Sequence, residues 1–189
     1  MTEQELYIKL EYTDHTREQR SKMATVIMED PNLITPLLSI VSRVDDVISC
    51  RASWILESVV RRDRDLIYPY LDKFTLLLKR IRLHSAIRPM AKICELIIIS
   101  YYSKIPNKSQ QYLNKVHLER ITSACFDWLI GNNKVAAKAY SMTTLFLLGA
   151  TFAWIHPELK VVLEQNYVTG SAAYKARARM ILKNIGNNP

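Results

Sequence analysis

Apolar residues recur at helical spacing along most of the chain, and this feature constrains the fold more than any other. One apolar face runs through residues 33–41 and the next through residues 48–59, each close to the i, i+3, i+4, i+7 spacing of an amphipathic helix. Further faces with this spacing lie in residues 66–81, 87–98, 118–129 and 135–145. The chain has only 4 glycines and 7 prolines, few for a protein of many strands and tight turns. The pattern therefore predicts an all-α fold.

The polar segments between these faces are short and carry helix-boundary signals. Asp45 and Asp46 precede a helix that should begin near Val47, where acidic residues suit the helix dipole. Pro31 stands near another helix start, and Gly131 is expected to end a helix. About nine helices joined by a few residues each are predicted, which favours consecutive antiparallel helical hairpins.

One motif recurs across the predicted hairpins: an apolar residue followed four positions later by alanine, with a basic residue between them or nearby. Its four copies are Ile48-x-x-Arg51-Ala52, Ile87-Arg88-x-x-Ala91, Val135-x-x-Lys138-Ala139 and Ala172-x-x-Lys175-Ala176. The alanines are 39, 48 and 37 residues apart, and HEAT and armadillo units recur at roughly 40–47 residues. The motif resembles the second helix of HEAT repeats, in which a small residue lets stacked helices approach closely.

This resemblance implies a right-handed α-α superhelix of about four to five HEAT-like helical hairpins. The superhelix would form a single domain over residues 1–189, and residues 1–18 could be a less regular acidic helix at its start. A chain of 189 residues lies within the usual size of one domain.

Charge is distributed unevenly along the chain. Residues 1–46 hold nine acidic and five basic residues, a net charge of −4, whereas residues 47–189 hold nine acidic and 21 basic residues, a net charge of +12. A basic body favours anionic partners such as nucleic acid, an acidic protein segment or a phosphorylated peptide. The alternative is that the lysines and arginines only solvate the helix surfaces.

The HEAT resemblance implies that the second helices line a concave surface, where such proteins usually bind their partners. The basic residues of the repeat and of the last helix would then form a binding surface for an acidic partner. These candidate binding residues are Arg51, Arg88, Lys92, Lys138, Lys175, Arg179 and Lys183. The alternative is that they pair with acidic residues of neighbouring repeats.

Two further basic clusters lie near the ends of predicted hairpins. Residues 61–65 alternate in sign (Arg-Arg-Asp-Arg-Asp), which predicts a helix end whose charges pair with one another. Lys79, Arg80 and Arg82 have no acidic residue nearby and are secondary candidates for an anion site.

The cysteines and histidines do not have the spacing of a metal site. Cys50, Cys94 and Cys125 form no C-x-x-C pair, and His15, His84, His117 and His156 stand at no zinc-like spacing from them. We therefore expect reduced, buried thiols in a cytoplasmic protein, with no metal and no cofactor.

The 17 residues from Ala139 to Ile155 carry no formal charge. They are at the short end for a membrane span of about 20 residues. Because a helix covered on both sides within a helical protein has the same composition, we expect a buried helix here and no membrane association.

Motifs for catalysis are missing from the sequence. It has no P-loop, dinucleotide-binding, H-E-x-x-H or G-x-S-x-G motif. HEAT-like alkylpurine DNA glycosylases resemble the expected architecture and use an aspartate with aromatic residues, as in Asp127-Trp128. Adjacent helix residues point about 100° apart, however, and Trp128 falls on an apolar stripe, so it is predicted to lie in the core. Trp54 and Trp154 are expected either in the core or in the packing between repeats.

The sequence therefore predicts a non-enzymatic scaffold that binds a protein partner, such as an acidic helix or tail, through a basic concave surface. The alternatives are a nucleic-acid-binding HEAT-like protein and a relative of the DNA glycosylases.

Overall fold

The computed structural model describes residues 1–14 and 16–186; His15, one of the histidines considered above, and residues 187–189 lie outside the described residues. The described residues form eleven α-helices: α1 Glu3–Glu11, α2 Arg17–Glu29, α3 Ile34–Val41, α4 Val47–Arg62, α5 Leu71–Leu78, α6 His84–Tyr101, α7 Lys108–Tyr112, α8 Lys115–Ile130, α9 Val135–Leu148, α10 Ile155–Gln165 and α11 Ala172–Gly186. Two 3₁₀ helices, Pro31–Leu33 and Arg64–Tyr70, precede α3 and α5. No strand forms in this part of the chain, and the all-α prediction is confirmed.

The boundary signals act as the sequence indicates. The Asp46 side chain accepts a hydrogen bond from the backbone N–H of Ile48 at 2.8 Å and so caps the start of α4. Gly131 is the C-cap residue of α8. At the start of the chain, Thr2 and Glu5 form a reciprocal capping box that begins α1.

The helices are more numerous than the nine or so that the apolar faces predict. The face in residues 66–81 is divided between a 3₁₀ helix and α5 because Pro69 has no backbone N–H to donate to an α-helix. The polar break near residue 107 contains the short helix α7, which Asn107 begins through a capping box with Gln110.

The helices that carry the recurring motif pack in the order α4, α6, α9 and α11. Trp54 Nε1 donates to the Ser85 carbonyl at 2.9 Å, and Arg88 Nη2 donates to the Glu57 carboxylate at 2.6 Å. Both bonds join residues 31 positions apart. The second bond lies about one turn further along α4 than the first, and also about one turn further along α6. The helices α4 and α6 therefore run parallel.

The same argument applies to α6 and α9. His84 is hydrogen-bonded to Asn133 at the start of the two helices, and Tyr102 to Thr151 just beyond their ends, each across 49 positions. On the other side of this row, α5 packs on α8, and α8 is joined to α10 by the ring of Phe126, which stacks on Trp154 with centroids 5.7 Å apart.

The alanines of the recurring motif do not all occupy close helix crossings. Ala52 and Ala91 are fully buried in α4 and α6. Ala139 is only partly buried and Ala176 is exposed, whereas Ala178 is fully buried in α11. The motif predicts burial correctly in α4 and α6 but is out of register in α11, which α9 and α10 cover on one side.

One cluster of buried apolar residues extends from Leu6 to Ile181. Trp128 lies in this core, as predicted, and the three cysteines are free and buried. Trp154 does not enter the core: its side chain is 54% exposed, and it stands at the N-cap of α10, where it stacks on Phe126 of α8. Of the two expected roles, packing between helices is therefore the one that the residue has.

The uncharged segment of residues 139–155 is not one helix. The helix α9 ends at Leu148, and a turn separates it from α10. No helix in the described part of the chain is both long enough and apolar enough to cross a membrane.

Candidate anion-binding site

Three of the predicted binding residues are engaged inside the protein, and Arg51 is the first. Its Nη1 atom donates to the carbonyl oxygens of Leu10, at 3.0 Å, and Glu11. These carbonyls belong to the last turn of α1, where acceptors have no partner within the helix. Arg51 therefore closes the C-terminus of α1.

Lys92 is the second engaged residue. Its Nζ atom lies 2.6 Å from Glu95 Oε2 and 4.8 Å from the ring centroid of Tyr140. The Lys92 and Glu95 side chains are only 16% and 6% exposed. Because Lys92 is largely buried and already paired, little of its side chain is exposed to a binding partner. The third residue, Arg88, pairs with Glu57 of the neighbouring helix α4. Such pairing between neighbouring helices is the alternative that the sequence left open for these basic residues.

The remaining predicted positions are less constrained. Lys138 and Lys175 are half-buried, and their side chains have no hydrogen-bond or ion-pair partner among residues 1–14 and 16–186. Arg179 Nε donates to the Tyr167 hydroxyl at 3.2 Å, and Lys183 is exposed. The structure brings Arg179 and Lys183 together at an open depression of about 520 Å³ between α10 and α11.

The secondary candidates lie elsewhere on the molecule. Lys79 and Arg80 line a pocket of about 670 Å³ between α3 and α5, together with Lys73. The acidic residue of this pocket is Glu3, which pairs with Arg43 at 2.7 Å. Arg82 is exposed and does not line the pocket.

Positive charge is concentrated in an open pocket of about 440 Å³ between α2, α4 and α6. We call it the arginine pocket, and it is lined by Arg17, Arg20, Ser21, Glu57, Ser58, Arg61, Arg62 and Arg88. Five arginines face one glutamate, so the formal excess is four positive charges. Such a concentration of like charge in a concave surface attracts anions.

Glu57 organises one side of the arginine pocket. Its side chain is only 5% exposed, and its Oε1 atom accepts a hydrogen bond from Arg61 Nε at 2.8 Å. Its Oε2 atom accepts from Arg88 Nη2 at 2.6 Å, and a longer contact of 3.4 Å joins Arg88 Nη1 to Oε1. One nearly buried carboxylate therefore holds guanidinium groups from two helices.

Backbone and hydroxyl acceptors hold the other side. Arg62 Nη1 donates to Thr25 Oγ1 at 2.9 Å and to the Ser21 carbonyl at 3.3 Å. Arg20 Nε donates to the Thr16 carbonyl at 3.3 Å. These bonds lie within α2 or join α4 to it.

Each anchored arginine uses only part of its guanidinium group. Arg20 and Arg61 are held through Nε, which leaves both of their Nη atoms without an acceptor in the described part of the chain. Arg62 likewise has no acceptor for Nε and Nη2 in this part of the chain, and no nitrogen of the Arg17 guanidinium group has one there. The pocket therefore presents fixed cationic donors that are ready to bind an anion.

The prediction that residues 61–65 pair among themselves is wrong. Arg61 pairs with Glu57, four positions earlier, and Arg62 bonds to α2. Asp63 instead caps the following 3₁₀ helix, and Asp65 pairs with Lys108 at 2.8 Å. Asp63 and Asp65 do not pair with the adjacent arginines because one carboxylate caps a helix start and the other pairs with a lysine of α7.

Sequence reasoning missed Arg17 and Arg20 because they stand in the segment whose net charge is negative. The one local signal for this site was the i, i+4 spacing of Glu57 and Arg61 on α4. The approach of α2 to α4 was not visible in that pattern.

Comparison of the chain with protein-family models, with curated proteins and with solved structures finds no match. The resemblance to HEAT repeats therefore depends on the motif and on the packing of the second helices.

Proposed function

We propose that this chain is a non-catalytic, HEAT-like scaffold that binds an acidic segment of a protein partner. The observation that carries the proposal is the arginine pocket, in which five arginines from three packed helices surround a single carboxylate. The scaffold would be a right-handed superhelix of four to five hairpins. The parallel packing of α4, α6 and α9 and the buried Ala52 and Ala91 support that architecture.

The structure changes where the partner is expected to bind. A continuous basic row along the second helices is not supported, because Arg51 bonds to α1 and Lys92 pairs with Glu95. Of the seven predicted positions, only Arg88 lines the arginine pocket. The partner therefore binds at the side of the row where α2 packs on α4.

A protein partner fits this distribution better than nucleic acid. Nucleic acid is held by many phosphate contacts spread along its backbone, and single strands are also held by stacking on aromatic side chains. The free donors here are concentrated in one pocket, and none of the residues that line it is aromatic. A compact acidic determinant on a protein matches such a site.

A glycosylase-like activity has little support. Asp127 is exposed on α8, whereas Trp128 is buried in the core, so the two side chains do not share a site. The arginine pocket contains one carboxylate, Glu57, and that group is occupied by Arg61 and Arg88. Neither carboxylate is placed with an aromatic residue that could hold a base.

Binding of a labelled Asp- and Glu-rich peptide and of a labelled mixed-sequence DNA duplex, measured by fluorescence anisotropy across a salt series, tests this proposal. We expect the peptide to bind at physiological salt, and the duplex to bind weakly with a steep loss as salt rises. Arg20→Ala with Arg61→Ala should abolish peptide binding, whereas the matched control Lys79→Ala with Arg80→Ala should not. Duplex binding that exceeds peptide binding at physiological salt would overturn the proposal.

A further inference from the structure

We propose that the arginine pocket is a receptor for a phosphomonoester, the group carried by a phosphorylated serine or threonine of the acidic partner segment. This inference rests on the proposed function and names the chemical group that the pocket selects.

The first argument is charge. The pocket has a formal excess of four positive charges after Glu57 is counted. A phosphomonoester brings a charge of about −1.5 to −2 at neutral pH, compared with −1 for a carboxylate. A doubly charged group compensates more of the repulsion among the arginines than any single acidic side chain of a partner.

The second argument is geometry. A planar carboxylate is matched by one guanidinium fork, and Glu57 already occupies the fork of Arg88 through its two oxygens. Free donors remain on Arg17 and Arg20 of α2 and on Arg61 and Arg62 of α4, so they reach the pocket from two helices. The three terminal oxygens of a phosphomonoester are arranged tetrahedrally and can accept hydrogen bonds from several directions at once. They therefore match donors on two helices better than a planar carboxylate does.

The third argument is preorganisation. Arginine side chains lose considerable conformational freedom when they are fixed by a ligand. In this pocket, Glu57 fixes Arg61, and Thr25 fixes Arg62, before any ligand arrives. Because the anchors use only part of each guanidinium group, Arg61 and Arg62 are ordered and still have free donors. Sites that need little reordering bind their ligands more tightly.

The test compares three versions of one short acidic peptide that carries at its centre serine, phosphoserine or a Glu-Glu pair. The Glu-Glu version matches the charge of phosphoserine but not its shape. Isothermal titration calorimetry should show that the phosphoserine peptide binds roughly tenfold more tightly than the Glu-Glu peptide. Inorganic phosphate should compete only at much higher concentration, because it lacks the acidic flanks.

Charge-conserving variants separate recognition of the phosphate from general attraction. Arg20→Lys with Arg61→Lys keeps the charge but removes the planar donors, so it should remove the preference for phosphoserine while weak binding of the Glu-Glu peptide persists. Arg179→Lys, on the exposed face of α11, is the matched control and should leave the preference unchanged. If the double variant does not fold by circular dichroism, Arg17→Lys with Arg20→Lys replaces it, since neither residue bonds to another helix.

The outcomes distinguish this inference from the proposed function. Equal affinity for the phosphoserine and Glu-Glu peptides would overturn the phosphate preference and leave the acidic-segment scaffold standing. Binding of none of the peptides would overturn both. Inorganic phosphate that competes as strongly as the phosphoserine peptide would assign the pocket to free phosphate and contradict a peptide receptor.

Discussion

Glu57 and Arg88 form a two-point contact between α4 and α6, with Arg88 Nη2 2.6 Å from Oε2 and Nη1 3.4 Å from Oε1. The contact has a structural effect, since it joins the neighbouring helices α4 and α6. It also has a functional consequence, because the same carboxylate orients Arg61 at the mouth of the arginine pocket. The residue that stabilises the helix pair is therefore also the residue that shapes the candidate site.

Replacing Glu57 by glutamine should destabilise the protein. The substitution removes the negative charge of a side chain that is 5% exposed, and it replaces one acceptor oxygen by an NH2 donor that faces an arginine donor. We expect the free energy of unfolding to fall by about 1–3 kcal/mol, less than for a fully buried pair because the Arg61 and Arg88 side chains remain 46% and 30% exposed. Urea denaturation measures the change.

Glu18→Gln is the control for this substitution. Glu18 pairs with Lys22 on α2 at 2.7 Å, but both side chains are largely exposed. Its loss should change the free energy of unfolding little, because solvent screens an exposed ion pair. Equal losses in Glu57→Gln and Glu18→Gln would show that Glu57 does not hold α4 to α6.

The alanine positions of the motif give a matched pair of substitutions. Ala91 is fully buried in α6, so Ala91→Leu should overpack the crossing and lower the free energy of unfolding by about 1–3 kcal/mol. Ala176 holds the equivalent motif position in α11 but is exposed, and Ala176→Leu should change stability little. A large loss in Ala176→Leu would contradict the register that the structure assigns to α11.

Asp72 should contribute to the acid sensitivity of the fold. Its pKa is held below its usual value, first by a hydrogen bond from His117 and then by one from Arg120. The imidazole donates from Nε2 because its Nδ1 atom accepts the backbone N–H of Asn114. A lowered pKa in the folded state means that the stabilisation is present above about pH 4 and is lost as pH falls through the folded value.

Stability measured as a function of pH for wild type and Asp72→Asn checks this prediction. The variant should be less stable near neutral pH, and the difference should shrink as pH falls below about 4. Asp45→Asn is the control, since Asp45 is exposed and has no bonded partner within residues 1–14 and 16–186. A difference that stays constant over the whole pH range would contradict the assigned role of Asp72.

The thiols should react only when the protein opens. Burial raises the pKa of Cys94 well above its usual value, with a further contribution from neighbouring Cys125, and burial also raises the pKa of Cys50. The thiolate is the reactive form of cysteine. Burial keeps reagents away from the thiols, and the raised pKa values of Cys94 and Cys50 keep these two protonated, so both effects slow the reaction. A chromogenic disulfide reagent should label no thiol rapidly in buffer and all 3 in denaturant. Rapid labelling of one thiol in the native protein would contradict this packing.

The helices could be predicted because their signals are local. Apolar spacing and capping residues such as Asp46 act within a few positions of the helices that they define. The division of residues 66–81 into a 3₁₀ helix and α5 also has a local cause, since Pro69 has no backbone N–H to donate.

The candidate site could not be predicted in the same way because it depends on long-range packing. Arg62 reaches Ser21 across 41 positions, and Arg88 reaches Glu57 across 31. A motif that marks basic residues on each second helix identifies Arg88, but it also marks Arg51, which the packing turns toward the carbonyls of α1. Charge counted along the chain likewise hides Arg20, since neighbouring acidic residues outnumber it in sequence but do not line the pocket.

An NMR titration of the backbone amide signals with the phosphoserine peptide locates the binding site on the protein. We expect the largest changes in α2, in α4 and at the start of α6, around Arg20, Arg61 and Arg88. The same titration of Arg20→Ala with Arg61→Ala should show no changes there. Peptide binding that instead shifts the signals around Arg80, between α3 and α5, or around Lys183 on α11 would contradict the account.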